Sequence, residues 1–355
     1  MDNFARIQEI LNDLSLDGVL ISNENNIRYI SGFTGATGYI YISKKTKKII
    51  TDFRYTTQAE LETYGYEIIT IGNSGYEASI NNIIKKENIN RLGFESEDLL
   101  YSSFLSLKSK LDVEELVPIK DEITRLRRIK TTKELENIKM AEAIGDKTFT
   151  DILSYIQPGM TEIQIAARIE YLLKINGGQG LSFPAIVASG TNSSMPHAIP
   201  GNKKLANGDF LTLDFGCIYN GYCSDMTRTI VIGRASQKQK EIYDIVLEAQ
   251  LAALDFIKAG VKGKDVDKVA RDIINKAGYE GCFGHGLGHS VGLFIHESPR
   301  LSMMEEDVLE IGMIETVEPG IYIKGFGGVR IEDLIVITEN GHDNYTYSPK
   351  ELIEL

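Results

Sequence analysis

Leu211-Thr-Leu-Asp-Phe-Gly216, Cys217-Ile-Tyr-Asn-Gly-Tyr-Cys-Ser224 and Asp225-Met-Thr-Arg-Thr-Ile-Val-Ile232 follow one another in this chain, and their reading decides its fold. Two apolar, β-prone runs flank Asn220-Gly221, a pair that favours a two-residue hairpin turn. With that turn, Tyr219 faces Tyr222 and Gly216 faces Asp225. Asp214 then lies two residues from Gly216, on the same sheet face as Asp225. A turn moved back by one residue on each strand sets the two aspartates directly opposite. Either register brings two carboxylates together. Like charges side by side on a sheet are destabilising unless something positive sits between them, and a metal cation is the obvious candidate.

The surrounding chain has 355 residues, which predicts two domains. The division falls in the stretch from Pro118 to Lys130, giving domains over 1–125 and 126–355. A hydrophobic content of 43% and a charged content of 25% are those of an ordinary globular protein. The net charge of −12 argues against a nucleic-acid partner. No apolar run approaches the roughly 18 residues of a membrane span, and Met1 to Arg6 carries no basic leader or signal core. Cys217, Cys223 and Cys282 have neither metal-finger spacing nor an even-numbered framework, so they read as reduced thiols. These features together predict a cytoplasmic protein without membrane contact.

Phe4, Ile7, Ile10, Leu11 and Leu14 recur at helical spacing. Short strands are expected at 18–21, 39–42, 48–52, 66–71 and 91–95, with helices over 58–64 and 80–84. Strands alternating with helices predict an α/β first domain. The Gly32-Phe-Thr-Gly-Ala-Thr-Gly38 loop lacks a Gly-Lys-Ser/Thr ending and opens no clear helix, so it reads as a turn, not a phosphate loop. Asp52 and Arg54 read as an ion pair or interface contact. Thr131-Thr-Lys-Glu134 is a capping box that starts a long helix.

A helix ending Ile156-Gln-Pro-Gly159 and a second over 162–175 have counterparts about a hundred residues later. There a helix over 238–258 ends Ile257-Lys-Ala-Gly260, and another contains Val269-Ala-Arg-Asp-Ile-Ile274. This weak duplication predicts two similar α/β halves with a cleft between them.

Further candidates for chemistry lie in that second region. His289 sits in Phe283-Gly-His-Gly-Leu-Gly-His-Ser-Val-Gly292, where four glycines bring backbone close to something. His285 could ligate by spacing, and His296-Glu297 follows. Glu318 ends a strand in Glu315-Thr-Val-Glu-Pro-Gly320, and Glu332 precedes the apolar run that begins at Leu334. A buried glutamate is costly unless paired or coordinated, and Arg330, on the same face as Glu332, is the available counter-charge. Asp214, Asp225, Glu318, Glu332 and His289 make an oxygen-rich set, better suited to Mn²⁺, Co²⁺, Fe²⁺ or Zn²⁺ than a thiolate site would be. Four negative charges balance two divalent ions.

These residues resemble the pita-bread fold dinuclear metallopeptidases: methionine aminopeptidases, Xaa-Pro aminopeptidases and Xaa-Pro dipeptidases (prolidases). Leu213-Asp-Phe-Gly216, Ser224-Asp-Met-Thr-Arg-Thr229, Gly288-His-Ser-Val-Gly292 with His296-Glu297, Val317-Glu-Pro-Gly320 and Arg330-Ile-Glu-Asp333 are similar to its five ligand motifs, in order. Ile21 to Phe33 and Thr51-Asp-Phe-Arg-Tyr55 are similar to the N-terminal domain of the proline-specific branch. The resemblance implies an α/β (α+β) fold, with a creatinase/prolidase-type domain followed by a pita-bread catalytic domain of pseudo-two-fold halves.

It further implies that Asp214 binds one of two divalent metals, His289 and Glu318 bind the other, and Asp225 and Glu332 bridge both. Mn²⁺ is the expected ion, with Co²⁺ and Zn²⁺ as alternatives. A bridging hydroxide would attack the carbonyl of the first residue in a peptide with proline at its second position. Glu318 would shuttle the proton, His197 would contact substrate and His296 would stabilise the tetrahedral intermediate. His285 matches no ligand and is assigned to the loop. Arg300 is similar to an arginine that holds a free substrate carboxylate in some prolidases. The expected activity is that of an Xaa-Pro aminopeptidase, with the dipeptidase as the alternative. A homodimer formed through the N-terminal domain is expected. A metal-free creatinase-like hydrolase and a non-catalytic binding module are the rival readings. The intact ligand set and substrate histidines argue against both.

Overall fold

A computed structural model describes residues 3–35 and 37–355, which form two compact units, Met1–Arg127 and Arg128–Leu355. In the first unit, α1 (Asn3–Asp13) precedes β1 (Gly18–Ile21), α2 (Glu24–Ser31), β2 (Tyr39–Ser43) and β3 (Lys47–Thr51). There follow α3 (Thr56–Glu62), β4 (Glu67–Thr70), α4 (Gly75–Glu87), β5 (Arg91–Glu95), α5 (Tyr101–Lys110) and β6 (Glu115–Ile119). The strands form one mixed sheet in the order β4-β3-β2-β1-β5-β6. Its two-residue period sends Val19, Ile21, Ile40 and Ile42 into a core shared with α1, and Leu20, Tyr41 and Ile50 into a core shared with α4.

Two helices and a strand here escaped the sequence pattern. The polar segment after Ile21 is α2, whose start is fixed by the Asn23 side chain accepting the backbone N–H groups of Asn25 and Asn26. The elements α5 and β6 also have no clear periodic signature. Gly32 caps α2 at φ 80°, so the glycine-rich loop is the link from α2 to β2, although Ala36 within it lies outside the described residues. Asp52 and Arg54 form a two-point ion pair, at 2.9 and 2.7 Å.

The second unit opens with α6 (Thr132–Leu153) and α7 (Glu162–Ile175), each started by a capping box. The elements β7 (Gly180–Leu181), β8 (Ile186–Ser189), β9 (Phe210–Phe215), β10 (Cys217–Tyr219), β11 (Tyr222–Cys223) and β12 (Met226–Val231) follow. Next come α8 (Gln237–Phe256), α9 (Gly263–Ile274), β13 (Gly288–Ser290) and β14 (Glu297–Leu301). The unit closes with β15 (Ile314–Val317), β16 (Gly320–Ile323), β17 (Gly327–Arg330), β18 (Asp333–Ile337) and β19 (His342–Asn344). No helix among the described residues is long and apolar enough to cross a membrane.

The hairpin takes the first of the two expected registers. Asn220 and Gly221 lie at φ 48° and 81°, the pair of positive values a mirror-image turn requires, and Tyr219 pairs with Tyr222. The same register continues in β9 and β12, where Asp214 pairs with Thr227. Yet the ribbon is two ladders, not one. At the break, the Cys217 N–H turns to the Ser224 hydroxyl at 3.0 Å. Gly216 packs so tightly there that a Cβ would stand 1.8 Å from the Ser224 carbonyl oxygen. Only glycine fits this crossing, which leaves Asp225 at the head of β12.

The duplication is real and extends past the helices. The Gly159 N–H donates to Leu205 at 2.8 Å, and the Gly260 N–H to Leu309 at 2.9 Å. Bridges Thr161–Lys204 and Lys262–Val308 repeat the pattern. Gly208 and Gly312 then lead into β9 and β15, donating to Ile232 and Ile337. Asp214 at the end of β9 is thereby the counterpart of Glu318 just past β15. Each half has its own apolar core: Ile144, Phe149 and Leu213 in one, Val246, Leu287 and Ile335 in the other.

Candidate functional site

A cavity of about 390 Å³ is lined by Asp214, Asp225, His289, Glu318 and Glu332. Also on its wall are His197, His285, His296, Arg300 and Arg330, with Phe183, Ile186 and Ile295 as apolar members. Residues 118 positions apart in sequence, Asp214 and Glu332, meet because the two halves face each other across it. Asp214 ends β9 and Asp225 heads β12. Glu318 follows β15, one step past the Val317–Asp333 pair, and so lies opposite Glu332. His289 is held in β13 by its own N–H, which donates to the Thr316 hydroxyl at 3.1 Å, and that hydroxyl donates to Glu318 at 3.2 Å. A Cβ on Gly288 would lie 1.9 Å from the Thr316 carbonyl oxygen, so the glycine lets the histidine strand approach β15.

His289 Nδ1 lies 3.1 Å from the Ser290 carbonyl, which fixes the proton there and leaves the Nε2 lone pair facing inward. That lone pair faces Asp225 Oδ2 and Glu318 Oε1, each 3.5 Å away, beyond a good hydrogen bond. Burial and the neighbouring His296 push His289 down to about 3, so a proton is not what joins these groups. Donor atoms of Asp225, His289 and Glu332 all fall within 4.8 Å of one another, a spacing that one cation can bridge. Asp214 Oδ1 and Glu332 Oε1 are buried with no hydrogen-bond partner among the described residues. Unpaired buried oxygens are costly, and a divalent cation would satisfy them. The residues present therefore fit such an ion.

Arg330 departs from its expected role. Its guanidinium pairs with Asp214, not with Glu332, and also donates to the Thr227 hydroxyl at 3.1 Å and to Tyr322 at 2.8 Å. Glu332 instead accepts from the Thr227 hydroxyl at 2.6 Å. The Tyr322 hydroxyl lies 2.8 Å from His285 Nε2, while His285 Nδ1 lies 2.8 Å from the Gly286 carbonyl. His285 is thus joined through Tyr322 and Arg330 to Asp214. Assigning it to the loop alone missed this chain. Tyr322 was missed too, although the two-residue period from Glu318 through Gly320 puts it on the same face. Glu142, buried in α6, accepts the Asp225 N–H at 3.3 Å and no local motif marks it.

His197, His296 and Arg300 are exposed at the cavity wall. The rings of His296 and His289 meet edge to face, with centroids 4.5 Å apart. Burial, then the charge of Arg300, lowers the pKa of His296 and keeps its ring neutral.

Burial pushes Glu318 up to about 8. Burial followed by the other carboxylates raises Asp225 and Glu332 well above the usual range. In the metal-free protein Glu318 holds a proton that the unfolded chain releases above its ordinary value of 4.5. Above pH 6.5 the lowered His289 and His285 are neutral in both states and the folded state binds more protons at Glu318, so stability falls as pH rises from 6.5 to about 8. Chelator-treated protein should show a falling Tm across that window. A rising Tm would contradict this electrostatic picture.

A family model described as metallopeptidase family M24 matches residues 136–339, and one described as creatinase/prolidase N-terminal domain matches residues 4–129. An Xaa-Pro dipeptidase from Bacillus anthracis is 46% identical, and its structure superposes with a TM-score of 0.97 over 100% of this chain and 99% of that one. An Xaa-Pro dipeptidase of Pyrococcus horikoshii is 41% identical over 354 residues, 99% of each chain. An X-Pro aminopeptidase from Thermotoga maritima is 38% identical, with a TM-score of 0.91 over 100% of both chains.

Proposed function

The chain belongs to metallopeptidase family M24, and from that premise we propose that it is a proline-specific enzyme, an Xaa-Pro dipeptidase. The observation that carries the proposal is the donor set: four carboxylates and one neutral imidazole line a single cavity, and two of the carboxylate oxygens are buried without partners among the described residues. In this reading Asp214, Asp225, His289, Glu318 and Glu332 hold two divalent ions, with Mn²⁺ preferred over Co²⁺ or Zn²⁺. Such ions, when bound, polarise a carbonyl and lower the pKa of a water. Glu318 receives a proton from the attacking water and delivers it to the proline nitrogen as the C–N bond breaks. His296 donates to the developing oxyanion, and His197 contacts the substrate backbone.

The names of the relatives favour the dipeptidase over the aminopeptidase that the sequence motifs first suggest: two of the three compared are Xaa-Pro dipeptidases. Arg300 supports the same choice, since a guanidinium at the cavity wall suits the free carboxylate of a dipeptide. Three cysteines without an even-numbered framework suit a reducing cytoplasm. Phe53, Leu61 and Tyr64, each at least 80% exposed in the first unit, support a homodimer through that unit.

The test is a length series of Xaa-Pro and Xaa-Pro-Yaaₙ peptides with Mn²⁺ added. Hydrolysis confined to the dipeptide is expected. Cleavage of the longer members would make the enzyme an aminopeptidase, and a metal-loaded protein inert on every member would end the proline-specific reading. Arg300→Ala should raise KM for the dipeptide roughly 10- to 100-fold, the worth of one charged hydrogen bond, with little change in kcat.

A further inference from the structure

Lys130 has no part in the donor set, yet its ammonium is buried behind it. Its side chain is 1% exposed and that of its partner Glu297 3%. Lys130 Nζ donates to the Ser290 hydroxyl at 3.0 Å and lies 3.4 Å from Glu297 Oε2. The backbone N–H of Lys130 is anchored on the Gly312 carbonyl at 3.0 Å, just before β15. Ser290 and Glu297 are registered partners across β13 and β14, and the register shifts between His289 and Ser290. One of these residues follows His289 and the other follows His296. The ammonium is therefore bonded to the immediate neighbour of each imidazole.

The intervening turn is folded around Glu297. Its Oε1 accepts the Phe294 N–H at 3.1 Å, and a Cβ on Gly292 would stand 2.5 Å from its Oε2. The Ser290 carbonyl, in turn, receives His289 Nδ1. A second acid lies within reach of the same charge: Glu315 is buried with both carboxylate oxygens unpartnered among the described residues, and Lys130 is the leading charge opposing its raised pKa. Replacing a buried ion pair by well-packed apolar residues is often neutral or stabilising, so fold stability alone does not explain this arrangement.

We propose that Lys130 is a positioning residue for the hydrolytic site: by binding Ser290 and Glu297 together, its ammonium sets the separation and tilt of the His289 and His296 rings. This rests on the reading above, in which His289 holds a cation and His296 meets substrate. It adds that their geometry is imposed from a residue outside the cavity. Lys130→Arg keeps the charge and should preserve most of the ring geometry.

The test compares wild type, Lys130→Arg and the double variant Lys130→Met/Glu297→Met, which leaves no unpaired buried charge at this pair. Histidine ¹H–¹⁵N ring resonances of the metal-free proteins report the geometry without needing turnover. The double variant should shift both His289 and His296 signals and, loaded with Mn²⁺, lose roughly 10- to 100-fold in kcat with KM little changed, the scale of losing a partner that orients a ligand. Lys130→Arg should restore most of both. Unmoved ring signals with full kcat in the double variant would overturn the proposal, as would a lowered Tm with ring signals unchanged. If the double variant fails to fold, Ser290→Ala carries the same readout: the His289 signal should move, and its failure to do so overturns the proposal. A wild type inert on Xaa-Pro dipeptides would sink the functional reading but leave the ring test standing.

Discussion

Asp225→Asn should lose bound metal and at least about 10³-fold in kcat, the equivalent of roughly 4 kcal/mol of transition-state stabilisation. Asp225 is 5% exposed, its Oδ2 is 3.5 Å from His289 Nε2, and it joins His289 and Glu332 in a group of donor atoms within 4.8 Å of one another. Asparagine keeps the shape but removes a negative charge and turns an N–H₂ donor on a site built to face cations. The same change removes a carboxyl whose pKa is raised first by burial and then by repulsion from Asp214, Glu318 and Glu142. The metal-free variant should therefore be at least as stable as metal-free wild type. This combination separates a lost ligand from a damaged fold. Metal content by mass spectrometry, Tm with chelator and kcat on an Xaa-Pro dipeptide check it. Two retained equivalents with full turnover would remove the hairpin from the centre of the proposed mechanism.

The second large effect is expected at His296. His296→Ala should reduce kcat by about 10²–10³-fold, the usual scale for deleting one donor to a developing oxyanion. Metal content should stay the same, because the ring touches His289 at its edge and is exposed toward the cavity. Its lowered pKa means that a neutral N–H would do the donating, so the loss should persist unchanged as pH rises above neutrality. Loss of metal in this variant would show that the His289–His296 contact holds the ligand itself. The contrast with Asp225→Asn is the useful part: one variant should lose metal, the other only rate.

Asp214 and Asp225 could be read from the chain because their signals are short-range. Asn220-Gly221 dictates a mirror-image turn, and the two-residue strand period then carries Asp214 and Asp225 to one face. The capping box at Thr131 depends on residues three apart, so it marks the start of α6. Gly159 and Gly260 end similar segments, and that local likeness exposed the duplication. The unpredicted α2 shows the limit of periodicity, since its polar sequence is stabilised by a cap at Asn23 and by packing of Ile27 and Ile30 against strands elsewhere.

Other features depend on contacts between distant parts of the chain. Arg330 has Glu332 two residues away, yet its guanidinium reaches Asp214, 116 positions distant. It does so because β17 and β9 come from opposite halves and converge on the cavity. His285 is drawn into the same network by Tyr322, 37 positions on, and Lys130 is joined to Ser290 across 160. Sequence by itself therefore determined that Asp214 and Asp225 would share a face, because turn chemistry and strand period act over a few residues, while His289, Glu318 and Glu332 joined them through the resemblance of their motifs to a known family. Only the tertiary structure decided which cation neutralises which carboxylate, because a charge answers to what lies within a few ångströms and not to what lies next in the chain.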